Sequence, residues 1–338
     1  MSKTLLLFCG GTISMHKNDQ TKALDVSHGY DQLLKLEPRF SQICDVDIEF
    51  IDNIDSTNMT SVQWTRIADT IGENYDRYDG FVVTMGTNTM AYCAAALSFA
   101  LQNIGKPVVL TGAQIPAESL STDARNNFIN ALRLSTQDIA GVFVVFGSKI
   151  IRGCRAKKVS ESELDAFRTF NQKDFGEIGV GTILNFKQPR HKEPFQVQSK
   201  FVEQIVCLTL IPGLRAEFIR QMIDSGARGF ILRAYGSGDI PYDFEGALLY
   251  AKEKKVPIVV TTQCPGGATV MGINDVGLKA LQTGVIQAFD MCMEAMSTKL
   301  MWLLGQDTPY EEIKKLMETN FIGEVDSSRA AAIMGIEQ

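Results

Sequence analysis

Threonine recurs wherever this sequence could do chemistry. Thr12 follows two glycines in FCGGTIS, Thr57 lies in IDSTNM, Thr87 and Thr89 lie in MGTNTM, and Thr111 opens TGAQIP. Glycines before a hydroxyl let a small carbonyl compound approach the backbone, and nearby N–H groups can hold an oxyanion. Histidine is scarce: His16, His28 and His191 are the only three, and none lies in these loops. G-x-S-x-G is absent, so a Ser-His-Asp triad is disfavoured. Neither C-x-x-C nor H-E-x-x-H occurs, which disfavours a zinc site. GGTIS is not G-x-G-x-x-G, and no G-x-x-x-x-G-K-[ST] is present, so a dinucleotide or triphosphate is not implied. A threonine hydroxyl needs a base or a proton path to act as a nucleophile. In a histidine-poor chain a lysine can serve, provided burial or a neighbouring positive charge weakens its hold on the proton. Lys157 and Lys158, in RGCRAKKVSESELDAF with Arg152 and Arg155, are the candidates. A solvated basic loop is the plainer reading of that stretch.

These residues need elements to position them. Apolar runs predict strands at Thr4–Cys9, Asp45–Ile51, Gly80–Met85, Pro107–Thr111 and Gly141–Phe146. Helices are predicted between them at Tyr30–Leu36, Ser61–Tyr75, Thr89–Asn103 and Thr122–Thr136. The runs are continuous in Val, Ile, Leu and Phe, which suits a parallel sheet covered on both faces, and strand–helix alternation argues for an α/β architecture. Ligands of such sheets lie beyond the carboxyl ends of the strands. The segments there are GGT, IDSTNM, MGTNTM and TGAQIP, all rich in small polar residues. From about Arg152 to Gln204 the chain is polar and lacks a long apolar run, and its second half reads as a linker. A second α/β series follows, with strands at Gln204–Leu210, Gly229–Ala234 and Val256–Thr261. Its helices are predicted at Ala216–Ser225, Asp243–Glu253, Asn274–Gln282, Met291–Leu304 and Tyr310–Glu318.

The 338 residues are too many for one ordinary core, so two domains are expected. A hydrophobic content of 45% against 21% charged residues describes a folded chain. The net charge of −6 argues against a nucleic-acid partner. No run is long enough to cross a bilayer, and MSKTLLLFCGGTIS is no secretory leader. Seven cysteines, most in apolar surroundings such as those of Cys93 and Cys207, read as reduced core thiols of a cytoplasmic protein. Cys9 or Cys264 could still be a lone reactive thiol.

The order of the motifs resembles the bacterial-type L-asparaginase family, in particular its cytoplasmic type I branch. GGTI, DST-M, GT-TMAY and TG-QIP carry the resemblance, continued by RG-R--K, LDAF, ILR-YG-G, TQC and DM--EA--TKL, from Leu5 to about Gly323. It implies a two-domain α/β fold: a larger flavodoxin-like catalytic domain at 1–190, a linker at 191–204 and a smaller α/β domain at 205–338. It also implies hydrolysis of the asparagine side-chain amide to aspartate and ammonia, without metal or cofactor. Dimers or tetramers with a site completed across the interface are implied too. Carried over by motif, Thr12 is the nucleophile that forms an acyl-enzyme, and Thr87 with Lys158 is a proton relay. Ser56, with Thr57 and the Gly86 and Thr87 amides beside it, holds the α-carboxylate. The Ala113 carbonyl orients the leaving amide, and Glu294 supports the amino end of the substrate. Arg233 and Cys264 match an effector site, which Lys157, in place of a threonine, would crowd.

The departures cluster at the same place. Asn88 stands where the family has an aspartate that contacts the substrate ammonium, and a neutral hydrogen bond is roughly half as strong as a charge-assisted one. Ala23 occupies the place of a loop tyrosine that presses on the nucleophile. Cys9 replaces a threonine. Asp239 replaces an asparagine and could restore, from the neighbouring subunit, the charge lost at Asn88. Two further readings follow. One is a relative, natural or engineered, that keeps the pocket without efficient turnover. The other is the amidase component of a tRNA-dependent amidotransferase, disfavoured by an acidic chain that opens on its first strand.

Overall fold

The computed structural model describes residues 1–11, 16–17, 24–25, 40–187, 190–333 and 335. Thr12, Ala23, His28 and the helix expected at Tyr30–Leu36 lie outside the described residues. The chain divides into two compact units, Met1–Ser199 and Lys200–Gln338.

The first unit is built on a sheet whose parallel part comprises β1 (Lys3–Phe8), β2 (Asp45–Phe50), β3 (Gly80–Thr84), β4 (Pro107–Thr111) and β5 (Gly141–Phe146). β3 and β4 are buried at every residue, as their unbroken apolar sequences require of strands covered on both faces. β6 (Lys149–Arg152) turns back antiparallel on β5 and leads to β7 (Ala156–Lys158), which pairs antiparallel with β8 (Phe167–Thr169). β9 (Gly176–Ile178) and β10 (Thr182–Leu184) extend the sheet beyond β6. The full order is β10-β9-β6-β5-β4-β3-β1-β2. Its parallel part therefore runs 2-1-3-4-5, the doubly wound flavodoxin-like order, whose chain direction switches between β1 and β3.

Helices α1 (Ser61–Asn74), α2 (Met90–Ala100) and α3 (Ala124–Ser135) connect the parallel strands. α1 starts where Thr60 and Gln63 close a capping box: Val62 N–H donates to Thr60 Oγ1 and Thr60 N–H to Gln63 Oε1. α2, MAYCAAALSFA, is apolar on every side and buried almost throughout, as such a helix must be.

Two parts of this unit differ from expectation. Strands β7, β8, β9 and β10 occupy a stretch that reads as polar and without a long apolar run. β9 and β10 are three-residue edge strands, too short to leave an apolar run. Residues 191–199, expected in a linker, belong to the first unit: Gln196–Val197 pairs with Leu101–Gln102, and Phe195 stacks on Tyr75 with ring centroids 4.0 Å apart.

The second unit is a parallel sheet of β11 (Ile205–Thr209), β12 (Gly229–Ala234), β13 (Ile258–Thr262) and β14 (Ile286–Gln287), in that order. Helices α4 (Glu217–Asp224), α5 (Glu245–Glu253), α6 (Asp275–Gln282), α7 (Met293–Gly305), α8 (Tyr310–Glu318) and α9 (Ser327–Ile333) accompany it. All seven cysteines are free thiols. Cys207, expected in the core, is exposed because β11 is the edge strand of this sheet.

Candidate active site

The loops that leave β1 and β3 meet at the switch point. Gly11 has φ +89°, and a Cβ there would lie 2.1 Å from the Gly86 nitrogen, so only glycine permits this approach. Gly86 is equally constrained on its other side, where a Cβ would meet Ser56 Oγ at 2.5 Å. The three loops after β1, β2 and β3 are thereby packed backbone to backbone. Ser56 is 2% exposed, and its carbonyl accepts the Thr89 hydroxyl proton at 2.8 Å. Asp55 accepts Thr57 N–H at 2.8 Å and shapes the short turn at Ser56–Asn58.

Lys158 enters this cluster from β7. Side chains alternate along a strand, so neighbouring lysines diverge. Lys157 has its ammonium 5.7 Å from the Phe170 ring centroid, whereas Lys158 Nζ donates to Thr87 Oγ1 at 2.8 Å and to Asn88 Oδ1 at 2.9 Å. Lys158 is thus the lysine that contacts Thr87 and Asn88. Asn88 Nδ2 in turn donates to Thr57 Oγ1 at 3.0 Å, and Thr87 Oγ1 donates to Gln114 Oε1 at 3.0 Å. Burial lowers the Lys158 pKa from its ordinary value by disfavouring the ammonium, while the Glu161 and Asp55 carboxylates pull the other way. A hydroxyl in contact with a lysine that is easier than usual to deprotonate is equipped to pass a proton.

The loop after β4 is held from below. Asp123 accepts from the backbone nitrogens of Gln114 and Ile115, at 3.1 and 3.0 Å, and from Asn127 Nδ2 at 2.9 Å. Asn127 Nδ2 also donates to the Gly112 carbonyl at 2.9 Å, and Gly147 N–H donates to Asn127 Oδ1 at 2.8 Å. Ala113 is fully buried inside this frame. Sequence reading did not single out Gln114, Asp123 or Asn127; only the TGAQIP motif around Gln114 carried a signal.

Ser56, Thr57, Gly86, Thr87, Asn88 and Lys158 thus form one cluster in the first unit, to which Ala113 also belongs. Asp239, Glu294, Arg233 and Cys264 lie in the second. Asp239, on a tight turn from Tyr235, takes a hydrogen bond from Asn274 Nδ2 at 3.1 Å. Glu294 is buried in the first turn of α7. The carbonyls of Arg233 and Leu210 both accept from Gln263 Nε2, at 3.0 and 2.7 Å. Cys264 is exposed, with its N–H donating to Thr262 Oγ1 at 3.0 Å. Cys9 is buried and its thiol pushed up by desolvation, with the Asp52 charge adding to the effect, so it is no reactive thiolate. Among the described residues no helix is long and apolar enough to cross a membrane.

Comparison with known proteins identifies the family. The family model "Asparaginase, N-terminal" matches residues 3–191, and "Glutaminase/Asparaginase C-terminal domain" matches 204–317. L-asparaginase from Thermococcus kodakarensis is 36% identical over 331 residues, 96% of this chain and 100% of that protein. The structure of the thermostable L-asparaginase from the same organism matches with a TM-score of 0.88 at 34% identity, covering 96% of this chain and 99% of that one. L-asparaginase 1 from Escherichia coli (strain K12) is 37% identical over 94% of this chain and 96% of its own length. A component of the glutamyl-tRNA(Gln) amidotransferase of Pyrococcus abyssi is 33% identical over 96% of this chain and 77% of its own length. The chain belongs to the asparaginase family of amidohydrolases and has its two-domain α/β fold.

Proposed function

We propose that the chain hydrolyses the side-chain amide of L-asparagine to L-aspartate and ammonia through a threonine nucleophile and an acyl-enzyme. The observation that carries the reading is the 2.8 Å contact between Lys158 Nζ and Thr87 Oγ1 at the β1/β3 switch point. In the proposed reaction Thr12 Oγ attacks the amide carbon, and its proton passes by way of Thr87 to Lys158. The C–N bond then breaks as the leaving nitrogen gains a proton and departs as ammonia. Water cleaves the ester, which releases aspartate and restores the hydroxyl. Support for Thr12 comes from Gly11, the preceding residue, which lies against Gly86 one position before Thr87. Ser56, with Thr57 and the Gly86 amide beside it, takes the α-carboxylate, and the Ala113 carbonyl orients the leaving amide. Asp239 and Glu294 of a neighbouring subunit complete the site in a dimer or tetramer. Arg233 and Cys264 are proposed as effector contacts. Buried free thiols are consistent with work in the cytoplasm.

The deciding experiment is ammonia release from free asparagine by the purified chain, with no tRNA added. Release supports the reading. Dependence on tRNA or on a second protein would favour a role like that named for the Pyrococcus abyssi relative. A silent chain beside an active Asn88→Asp variant would favour a binding relative.

Asn88→Asp also has an expected pH signature. It places a carboxylate where an amide oxygen now lies 2.9 Å from Lys158 Nζ. An opposite charge at that range raises a lysine pKa by about 1–3 units. The rate rises with pH as Lys158 loses its proton, so the rising limb is expected to move up by about the same amount. Ammonia release measured across the pH range checks this, and an unmoved or lowered limb contradicts it.

A further inference from the structure

Gln114 uses both ends of its side chain. Oε1 accepts the Thr87 hydroxyl proton at 3.0 Å, while Nε2 donates to the carbonyls of Glu163 at 3.2 Å and Ser160 at 3.5 Å. Those carbonyls lie on the segment that follows β7, just beyond Lys158. They fix which end of the amide faces Thr87, because a flipped amide would turn its oxygen toward two carbonyls. The Asp123 carboxylate pins the Gln114 backbone from the other side.

Thr87 Oγ1 has one proton and two lone pairs. Here Lys158 donates to one lone pair, and the proton is given to Gln114. When Lys158 is neutral, its nitrogen becomes a second acceptor for that same proton. Once the hydroxyl turns to Lys158, both lone pairs of Thr87 face away from the amine and one can receive a proton from the nucleophile. We propose that Gln114 is a positioning residue of the relay, whose amide oxygen parks the Thr87 proton while Lys158 is charged and yields it when Lys158 is neutral. The proposal rests on the reading of Thr87 and Lys158 as a proton relay.

The groups that face Lys158 are Thr87 and Asn88 from the loop after β3, Asp55 from the loop after β2 and Glu161 from its own segment. Gln114 reaches it from the loop after β4 through Thr87 alone. Two variants therefore act in opposite directions. Gln114→Met removes the acceptor that Thr87 needs only when Lys158 is charged, so the charged form is disfavoured and Lys158 is expected to titrate lower, by about 1 pH unit. Gln114→Glu keeps an acceptor for Thr87 and adds a negative charge, at the cost of the two bonds that Nε2 gives to the Glu163 and Ser160 carbonyls, so Lys158 is expected to titrate higher, by about 1–3 units.

The test is the titration of Lys158 in the full chain, read from the ¹³Cε resonance of labelled lysine and assigned with Lys158→Arg, alongside the pH profile of ammonia release. Opposite shifts support the proposal, with kcat following the same limbs and KM for asparagine unchanged. An unmoved or raised titration in Gln114→Met overturns it, because a residue that only supported the loop would not favour the charged form of Lys158. Gln114→Met is the deciding arm, because the charge added by Gln114→Glu raises the Lys158 titration by itself; Gln114→Leu, which also lacks the acceptor, carries the same prediction if the methionine variant does not fold. The titration needs no turnover: a wild-type chain that releases no ammonia would overturn the proposed reaction, while the Lys158 shifts would still decide the role of Gln114.

Discussion

Lys158→Met is expected to slow ammonia release from asparagine by about 10²–10⁴-fold, the range lost with a general base, while the fold survives. Methionine keeps an unbranched stem of similar reach, and β7 keeps its backbone pairing with β8, Lys158 opposite Phe167. The polar neighbours keep partners as well: Thr87 retains Gln114, and Asn88 retains Thr57. What disappears, in the proposed reaction, is the final acceptor for the proton of the nucleophile. Lys158→Arg sharpens the test. Arginine preserves positive charge and hydrogen-bond donors but does not deprotonate in a protein. If Lys158 acts as a base, the arginine variant should be about as slow as the methionine variant. If it acts only by holding Thr87 in place, arginine should restore much of the rate. The measurement is kcat for ammonia release by both variants, with thermal melts to confirm folding. An arginine variant within a few-fold of wild type would remove the base role.

The residues of the proposed relay were legible to different degrees. The β1, β3, β4 and β5 strands announce themselves because a strand covered on both faces must be apolar at successive positions. The loops at their carboxyl ends follow from that, and with them the neighbourhood of Ser56, Gly86 and Thr87. The approach of Lys158 was another matter. Thr87 and Lys158 are 71 residues apart, and β5, β6 and β7 must all form before the lysine can reach the site. Spacing alone left Lys157 and Lys158 equivalent; the alternation of a three-residue strand separates them. β9 and β10 escaped notice because short edge strands need no apolar run. Gln114 escaped because its part depends on where the segment after β7 crosses, which no local pattern encodes. Asp239 read as a spare negative charge, yet its carboxylate already takes a hydrogen bond from Asn274. Sequence reports the type of a side chain and the fold decides its company.

The second large effect is on stability. Lys299 on α7 and Glu324 both have fully buried side chains, with Nζ and Oε1 2.6 Å apart. An ion pair out of water survives only if every remaining donor and acceptor is satisfied, and this one is well supplied. Nζ also donates to the carbonyls of Met317 at 2.9 Å and Thr319 at 2.6 Å, which uses all three ammonium protons. Glu324 also accepts from the backbone nitrogens of Phe321 and Ile322, at 3.1 and 2.9 Å. The Phe321 ring lies 4.8 Å from the ammonium. One lysine thus ties α7 to the end of α8 and to the turn beyond it. Lys299→Met leaves the carboxylate buried without its counter-charge, and breaking a buried pair in this way costs about 3–5 kcal/mol. Adding Glu324→Gln removes the stranded charge while keeping an acceptor for the two backbone N–H groups. The double variant is therefore expected to be more stable than Lys299→Met alone. Chemical denaturation of the wild type, both single variants and the double variant measures this. A Lys299→Met protein within about 1 kcal/mol of wild type would mean that water or a neighbouring proton neutralises Glu324 when its partner is gone.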